Sequence, residues 1–128
     1  MKTLLTIFTL VFTVMFSSTS FAGWTKLGKN SSGDTFYVDF ERIRKVDGYI
    51  YFWWLSDLLK PDKYGNLSYK SYNQGDCKLF RVKILSEIYY KQPMGRGTFK
   101  ENTFKNPQWK YPPPNSAIET ILKSVCSR

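Results

Sequence analysis

KLFRVKILSEIYY, residues 78–90, is the stretch that decides the fold, because apolar and polar side chains alternate along it. A period of two is typical of a β-strand that has one face on a core and the other in water. We expect Arg81, Lys83 and Glu87 to lie on the wet face, the two cations being simply solvated. The apolar set that we expect to point inward is Phe80, Val82, Ile84, Ile88 and Tyr90.

A second strand is predicted over YIYFWWLSDL, residues 49–58, directly after the hairpin-type turn signal Asp47-Gly48. Aromatic and branched residues occupy both of its alternating sets. A strand that is apolar on both faces is typical of the middle of a sheet. We therefore expect it to be covered on both sides, by a helix, a second strand layer or a partner chain.

Shorter segments extend the predicted sheet on either side. The last of them, residues 98–104, is expected to form an edge strand, with Lys100 and Lys105 guarding it against aggregation. Residues 39–45 are predicted to form a single helical turn or bend in which Asp39 caps and Ile43 points inward. The remaining predicted strands are residues 24–27, 35–38 and 69–76.

The C-terminal region predicts one helix. Ser116 and Glu119 have the spacing of a capping box, which satisfies unpaired amides at a helix start. An apolar stripe at helical spacing follows, and we expect it to pack on the sheet. Before it, Pro107–Pro114 must be extended and non-helical. The stripe consists of Ile118, Ile121, Leu122 and Val125.

The first 22 residues have the order of a secretory signal peptide. Lys2 precedes an apolar run of 13 residues, which is shorter than the roughly 20 that a membrane-spanning helix needs. Ser20-Phe21-Ala22 presents small residues before Gly23, so we predict cleavage after Ala22. Residues 23–128 would then form one small exported domain with no transmembrane segment, periplasmic, secreted or on the cell surface.

Charge is unevenly distributed along this chain of net charge +9. Residues 23–60 carry 6 basic and 5 acidic residues, whereas residues 61–128 carry 12 and 5. A basic exported protein is attracted to anionic partners such as acidic glycans or envelope lipids. No dense run of Lys and Arg is present, so we do not expect a nucleic-acid ligand and keep a merely solubilising surface as the alternative.

Cys77 and Cys126 are the only cysteines, and an even pair in an oxidising compartment normally forms a disulfide. The bridge is expected to be structural, since the sequence has neither a Cys-x-x-Cys motif nor enough ligands for zinc. The absence of histidine removes the commonest general base, and no pair of carboxylates stands out by spacing. We expect no catalytic, cofactor or metal site, and no enzyme.

Several features taken in order resemble the surface-adhesin protein E-like family. They are Trp24, Tyr37-Val38-Asp39 followed by Ile43, Trp54-x-x-Asp57, Cys77 before the long basic strand, Trp109, Pro114-x-Ser116 and Cys126. The resemblance implies a small exported domain of Gram-negative bacteria, an antiparallel sheet with a helix. The family's namesake is an outer-membrane adhesin that binds host matrix and plasma proteins.

The sequence thus predicts an α+β domain: mainly an antiparallel sheet, with a C-terminal helix packed on it and one disulfide. We expect it to be a non-enzymatic binding protein for a protein or an anionic envelope or matrix ligand. The alternative is a periplasmic assembly factor that acts as a homodimer. The candidate ligand-binding residues are Arg96, Lys100, Lys105, Trp109, Lys110 and Tyr111.

Overall fold

A computed structural model describes residues 23–128. The predicted signal peptide, residues 1–22, and its cleavage site lie outside the described residues. Within residues 23–128, seven antiparallel strands form one sheet in the order β1-β2-β4-β5-β6-β7, and β3 also pairs with β4. The strands are β1 (Trp24–Lys29), β2 (Thr35–Asp39), β3 (Arg44–Val46), β4 (Tyr49–Asp57), β5 (Ser68–Asp76), β6 (Arg81–Gln92) and β7 (Arg96–Thr103).

One helix and two short 3₁₀ turns complete the fold. The first turn is Phe40–Arg42, where Asp39 accepts a hydrogen bond from Glu41 N–H as predicted, and the second is Pro93–Gly95. Helix α1 (Ala117–Cys126) follows the extended proline-rich segment. These elements confirm the predicted α+β fold. They also confirm residues 98–104 as an edge, since β7 ends the strand order.

The start of α1 forms as its capping sequence predicts. Glu119 N–H donates to Ser116 Oγ at 3.2 Å, as in a capping box. The glutamate carboxylate accepts from Asn115 N–H at 3.3 Å instead of from the N-cap residue itself. The first contact satisfies an amide that the first helical turn leaves without a partner, and the second holds the residue before the N-cap.

Helix α1 packs on one side of the sheet, which we call the helix face. Ile121, Leu122 and Val125 are fully buried there, and Ile118 is partly buried. Gly75 of β5 makes this close approach possible, because a Cβ atom at this position would lie 2.8 Å from Ile50 and 3.1 Å from Leu122. The strand residues of this core are Val38, Ile50, Phe52, Trp54 and Val82.

Two bonds hold the end of α1 to the sheet. The predicted disulfide joins Cys77, in the turn after β5, to Cys126 across a sequence separation of 49. Lys45 of β3 donates from Nζ to the carbonyl oxygen of Arg128 at 2.8 Å. The helix is therefore attached near its C-terminus to both the middle and the β3 side of the sheet.

The prediction that one apolar set of residues 78–90 shares a face is wrong. Tyr72 of β5 pairs with Ser86 whereas Asn73 pairs with Ile84, so Leu85 is an extra residue in β6. A bulge of this kind reverses which side the following residues face. Val82 and Ile84 therefore lie on the helix face, and Ile88 and Tyr90 lie on the opposite side.

Candidate binding face

The side of the sheet opposite α1 carries a group of aromatic side chains. Along β4, Tyr49, Tyr51 and Trp53 alternate with the helix-face residues and so point the other way. Tyr72, paired with Trp53 on β5, and Trp109 join them, and all five are half-buried. We call this set of five residues the aromatic face.

The five rings form two contacting groups. Tyr72 lies between Tyr51 and Trp53, with ring centroids 6.3 and 4.9 Å away. Tyr49 contacts Trp109 at 5.7 Å. Interplanar angles of 28° to 38° make these arrangements tilted or offset, which is a favourable geometry for aromatic pairs. The face is therefore an ordered layer of rings.

The proline-rich segment 107–114 places Trp109 on this layer. Lys110 N–H donates to the Val82 carbonyl at 2.8 Å, and Val82 N–H donates back at 2.9 Å. Strand β7 pairs with β6 only from Ser86 onward, so this segment occupies the free edge of the first half of β6. It is non-helical, as the prolines predict, and ends in a turn at Pro114. The bridge turns Lys110 toward the helix face and its neighbour Trp109 toward the aromatic face.

Two cations of β6 contact the Trp109 ring. The guanidinium carbon of Arg81 lies 4.2 Å from the ring centroid, and Lys83 Nζ lies 4.5 Å from it. Cations at this distance are attracted by the negative face of the indole. The expectation that both side chains are simply solvated is therefore wrong: each is half-buried and packed on the ring.

Positive charge exceeds accessible negative charge around the aromatic face. Arg44 of β3 pairs with Tyr51 and is exposed. Two acids near it are buried and paired with arginine: Asp76 with Arg81 at 3.0 Å, and Asp39 with Arg42 at 3.3 Å. Asp47, in the turn that leads into β4, is exposed. An approaching ligand therefore meets rings and several cations, with one exposed carboxylate at the Tyr49 end.

Asp76 keeps its charge because it is well supplied with donors. The N–H of Leu79 is the main cause of a pKa below the usual value, and Arg81 and the N–H of Lys78 add to it against the effect of desolvation. The carboxylate accepts from these groups at 3.0 to 3.1 Å. Arg81 is thereby fixed in the position where it meets Trp109.

The other end of this side is closed by the second 3₁₀ turn. Met94 N–H donates to Asp57 Oδ1 at 2.8 Å, and Gly95 N–H donates to Ser68 Oγ at 2.9 Å. The turn therefore lies over Leu55, which is fully buried. Lys70 lies beside it, and burial, followed by the charge of Arg42, lowers the pKa of its amine. Within residues 23–128, β4 is thus covered here and on the helix face, and cover by a partner chain stays a prediction.

A separate groove of about 790 Å³ lies between the 62–66 loop and β7, over Tyr89. Asp62 orders the loop: hydrogen bonds from Asn66 and Tyr64 lower its pKa although desolvation opposes them. Burial, with the neighbouring Glu87, raises the pKa of Tyr89 to about 12. The groove is lined by both lysine side chains and carboxylates, and it is therefore not a selective anion site.

The six predicted ligand-binding residues lie in different places. Trp109 is part of the aromatic face, and the exposed Tyr111 lies near Arg81 beside it. Lys100 lines the groove. The other three are exposed and lie apart from the aromatic face: Arg96 at the start of β7, Lys105 in the turn after it, and Lys110 toward the helix face.

The remaining residues of this face were not predicted as a site. The signal for them in the sequence was that both alternating sets of residues 49–58 are apolar. That pattern predicted that the strand is covered on both faces, but not that some of its rings stay accessible. The pairing of Tyr72 with Trp53, and of Arg81 and Lys83 with Trp109, follows from strand register and from the position of the proline-rich segment. Neither is visible in local sequence.

Among residues 23–128, no group of three or more histidine, cysteine or acidic side chains is arranged to hold a metal ion. In this range no helix has the length and apolar character needed to cross a membrane.

Fold and site together define a small α+β domain with one disulfide and a partly exposed face of aromatic rings and cations. A protein with such a surface is suited to binding. The family model "Surface-adhesin protein E" matches residues 24–127, and the chain belongs to this family. Family membership supports an adhesin-like protein that is exported or at the cell surface. Among curated proteins, none matches this sequence.

Solved structures of protein E from Haemophilus influenzae share the fold. Crystal form II has a TM-score of 0.64 at 16% identity, covering 83% of this chain and 88% of that one. A selenomethionine form scores 0.63 at 15% identity, covering 83% and 87%. Protein E from a non-typeable strain scores 0.58 at 16% identity, covering 83% and 76%. At these identities the likeness is one of fold.

Proposed function

We propose that this protein is a non-enzymatic, adhesin-like binding protein whose contact surface is the aromatic face. Family membership supports the general role. The observation that carries the assignment to this face is the layer of five half-buried Tyr and Trp rings with Arg81 and Lys83 packed on Trp109. Tyr, Trp and Arg are the residues most enriched among those that dominate binding energy.

Export is the first requirement of this function. Cleavage after Ala22 would release residues 23–128 into an oxidising compartment, where the Cys77–Cys126 disulfide is stable. N-terminal sequencing of the exported protein should begin at Gly23. A chain that still begins at Met1 would contradict the predicted cleavage.

The ligand is expected to be a protein or anionic component of an envelope or matrix. An aromatic layer supplies apolar contact area at a low cost in side-chain entropy, and the cations attract an acidic partner. Binding should therefore weaken as salt concentration rises, since exposed charges are screened. Binding that does not respond to salt would argue against the cations.

The test compares adherence of bacteria that carry the wild-type gene, no gene, or a single substitution. Trp109→Leu removes the ring on which both cations pack, whereas Lys110→Gln changes the adjacent residue toward the other face and serves as the control. We expect Trp109→Leu to reduce adherence to matrix-coated surfaces to the level of cells without the gene. If cells with Trp109→Leu adhere as well as wild type, or if both variants lose adherence equally, the proposal is refuted.

Cell fractionation locates the protein at the same time. Protein on the exterior or in the medium agrees with adhesion, whereas protein confined to the periplasm favours the assembly role. The homodimer expected for that role stays a prediction, and light scattering of the exported protein measures it.

A further inference from the structure

We propose that the aromatic face binds one chain of an acidic polysaccharide in which uronate carboxylates alternate with uncharged sugar rings. This inference deepens the proposed function and depends on its assignment of the face. The shape of the face, the chemistry of its rings and the spacing of its charges support it in turn.

The exposed area favours a chain over a globular partner. Residues two apart on a strand are about 7 Å apart, so Tyr49, Tyr51 and Trp53 form a strip about 14 Å long. All five rings are partly buried, and with ~150–250 Å² of surface each they expose only about 200 Å² together. This is about a quarter of the ~800 Å² that a stable protein partner usually covers. A linear polymer can use such a narrow strip.

The chemistry of the strip suits a sugar. A sugar ring has an apolar C–H face and a rim of hydroxyl groups, so it needs both apolar and hydrogen-bonding contacts. Tyr49, Tyr51 and Tyr72 combine an apolar ring with a phenol that donates and accepts. Gln74, paired with Tyr51 and half-buried, adds an amide. The face thus offers both kinds of contact side by side.

The charges are spaced, not clustered. Arg81 is engaged by Asp76, which leaves Arg44 on β3 and Lys83 on β6 as the cations able to meet a carboxylate. Arg44 pairs with Tyr51, and Gln74 pairs with both Tyr51 and Lys83, so the two cations lie at the ends of one row that crosses the strands, about 14 Å apart. A chain that crosses the strip along this row meets both of them. Two separated cations match separated carboxylates, whereas a densely sulfated chain would need a basic cluster, and a neutral chain would need no cation.

The experiment titrates the exported protein with four probes, and binding is monitored by tryptophan fluorescence and calorimetry. The probes are hyaluronan oligosaccharides, heparin oligosaccharides, neutral dextran and an acidic polypeptide, poly-glutamate. We expect hyaluronan to bind best at low salt and more weakly at high salt. Tighter binding of heparin, of dextran or of poly-glutamate would overturn the choice of ligand.

Variants place the ligand on the face. Trp109→Leu and Lys83→Gln should each weaken hyaluronan binding about tenfold, the usual size of an important contact. Lys110→Gln, an equal loss of charge toward the helix face, should change it by less than about twofold. Far-UV circular dichroism and urea unfolding check folding, and Tyr51→Leu gives a second variant if Trp109→Leu does not fold.

The outcomes separate this inference from the proposed function. If no glycan binds but adherence still depends on Trp109, the polysaccharide is wrong and the binding face stands. If hyaluronan binds equally to wild type, Trp109→Leu and Lys83→Gln, the face is not its site, and this inference fails. If adherence and glycan binding are both indifferent to Trp109, the assignment of the face itself is wrong.

Discussion

Both sides of β4 carry large apolar side chains, but the two sides differ in how deeply these side chains are buried. Ile50, Phe52 and Trp54 are buried beneath α1, whereas Tyr49 and Tyr51 on the other side remain half-exposed. A strand that is apolar on both faces therefore need not be covered on both faces by its own chain. What differs is the kind of residue, because a tyrosine can keep its polar edge in water while its ring packs on a neighbour.

The cover on each side also differs in kind. The helix face is closed by one amphipathic helix held at its end by a disulfide. The opposite side is closed only at its ends, by the turn Pro93–Gly95 and by Trp109. Stability should therefore depend on the helix face and binding on the aromatic face, and this division can be tested.

Removing the disulfide should give the largest change in stability. The double substitution Cys77→Ser with Cys126→Ser frees a loop of sequence separation 49, and such a bridge stabilises by about 4 kcal/mol in the chain-entropy treatment. Urea unfolding without reductant measures the loss. A change below about 1 kcal/mol would show that α1 holds the helix face closed without its covalent tether.

Leu122→Ala, in the middle of α1, should follow at about 3 kcal/mol, because it removes a fully buried side chain and leaves a cavity. The neighbouring exposed Lys123→Ala is the control and should change the free energy of unfolding by less than about 0.5 kcal/mol. Equal effects of the two substitutions would mean that the helix face is not a tightly packed core.

Asp76→Asn should have a smaller effect that depends on pH. The pKa of Asp76 is below its ordinary value of 3.8 in the folded protein, so its contribution is present above that value and is lost as pH falls through the folded pKa. The difference between wild type and variant should therefore shrink as the pH falls below about 4. Asp47→Asn in the exposed turn is the control, and a difference that persists at low pH would contradict this linkage.

Tyr72→Leu on the aromatic face should change stability least, by about 1 kcal/mol, since the side chain is half-buried and loses only ring contacts. Its effect on ligand binding should be larger than its effect on unfolding. If instead it destabilises as much as Leu122→Ala, the aromatic face is a second core, and the contrast between the two sides disappears.

Much of the fold was predictable from local patterns. The capping box at Ser116 and the stripe ending at Val125 located α1, and the turn signal Asp47-Gly48 located the start of β4. The bulge at Leu85 was not predictable, because an extra residue in one strand is defined only by its partner. It moved Ile88 and Tyr90 to the side opposite Val82.

The candidate site was predictable only in part. Trp109 and Tyr111 stood out as large rings in a proline-rich segment. Their nearest cation, Arg81, looked like an ordinary solvated residue, because alternation assigns a residue to a side of the sheet but does not say what else arrives there. The cations Arg96 and Lys105 looked equivalent to it by charge, yet they lie apart from the aromatic face.

By itself the sequence determined the strands, the helix and the pairing of the two cysteines, since each depends on short-range periodicity, on capping or on there being one pair. The tertiary structure alone decided which rings meet and which cations pack on them. Those contacts join β3, β4, β5, β6 and the proline-rich segment, and contacts between distant segments depend on register and packing, which no local pattern encodes.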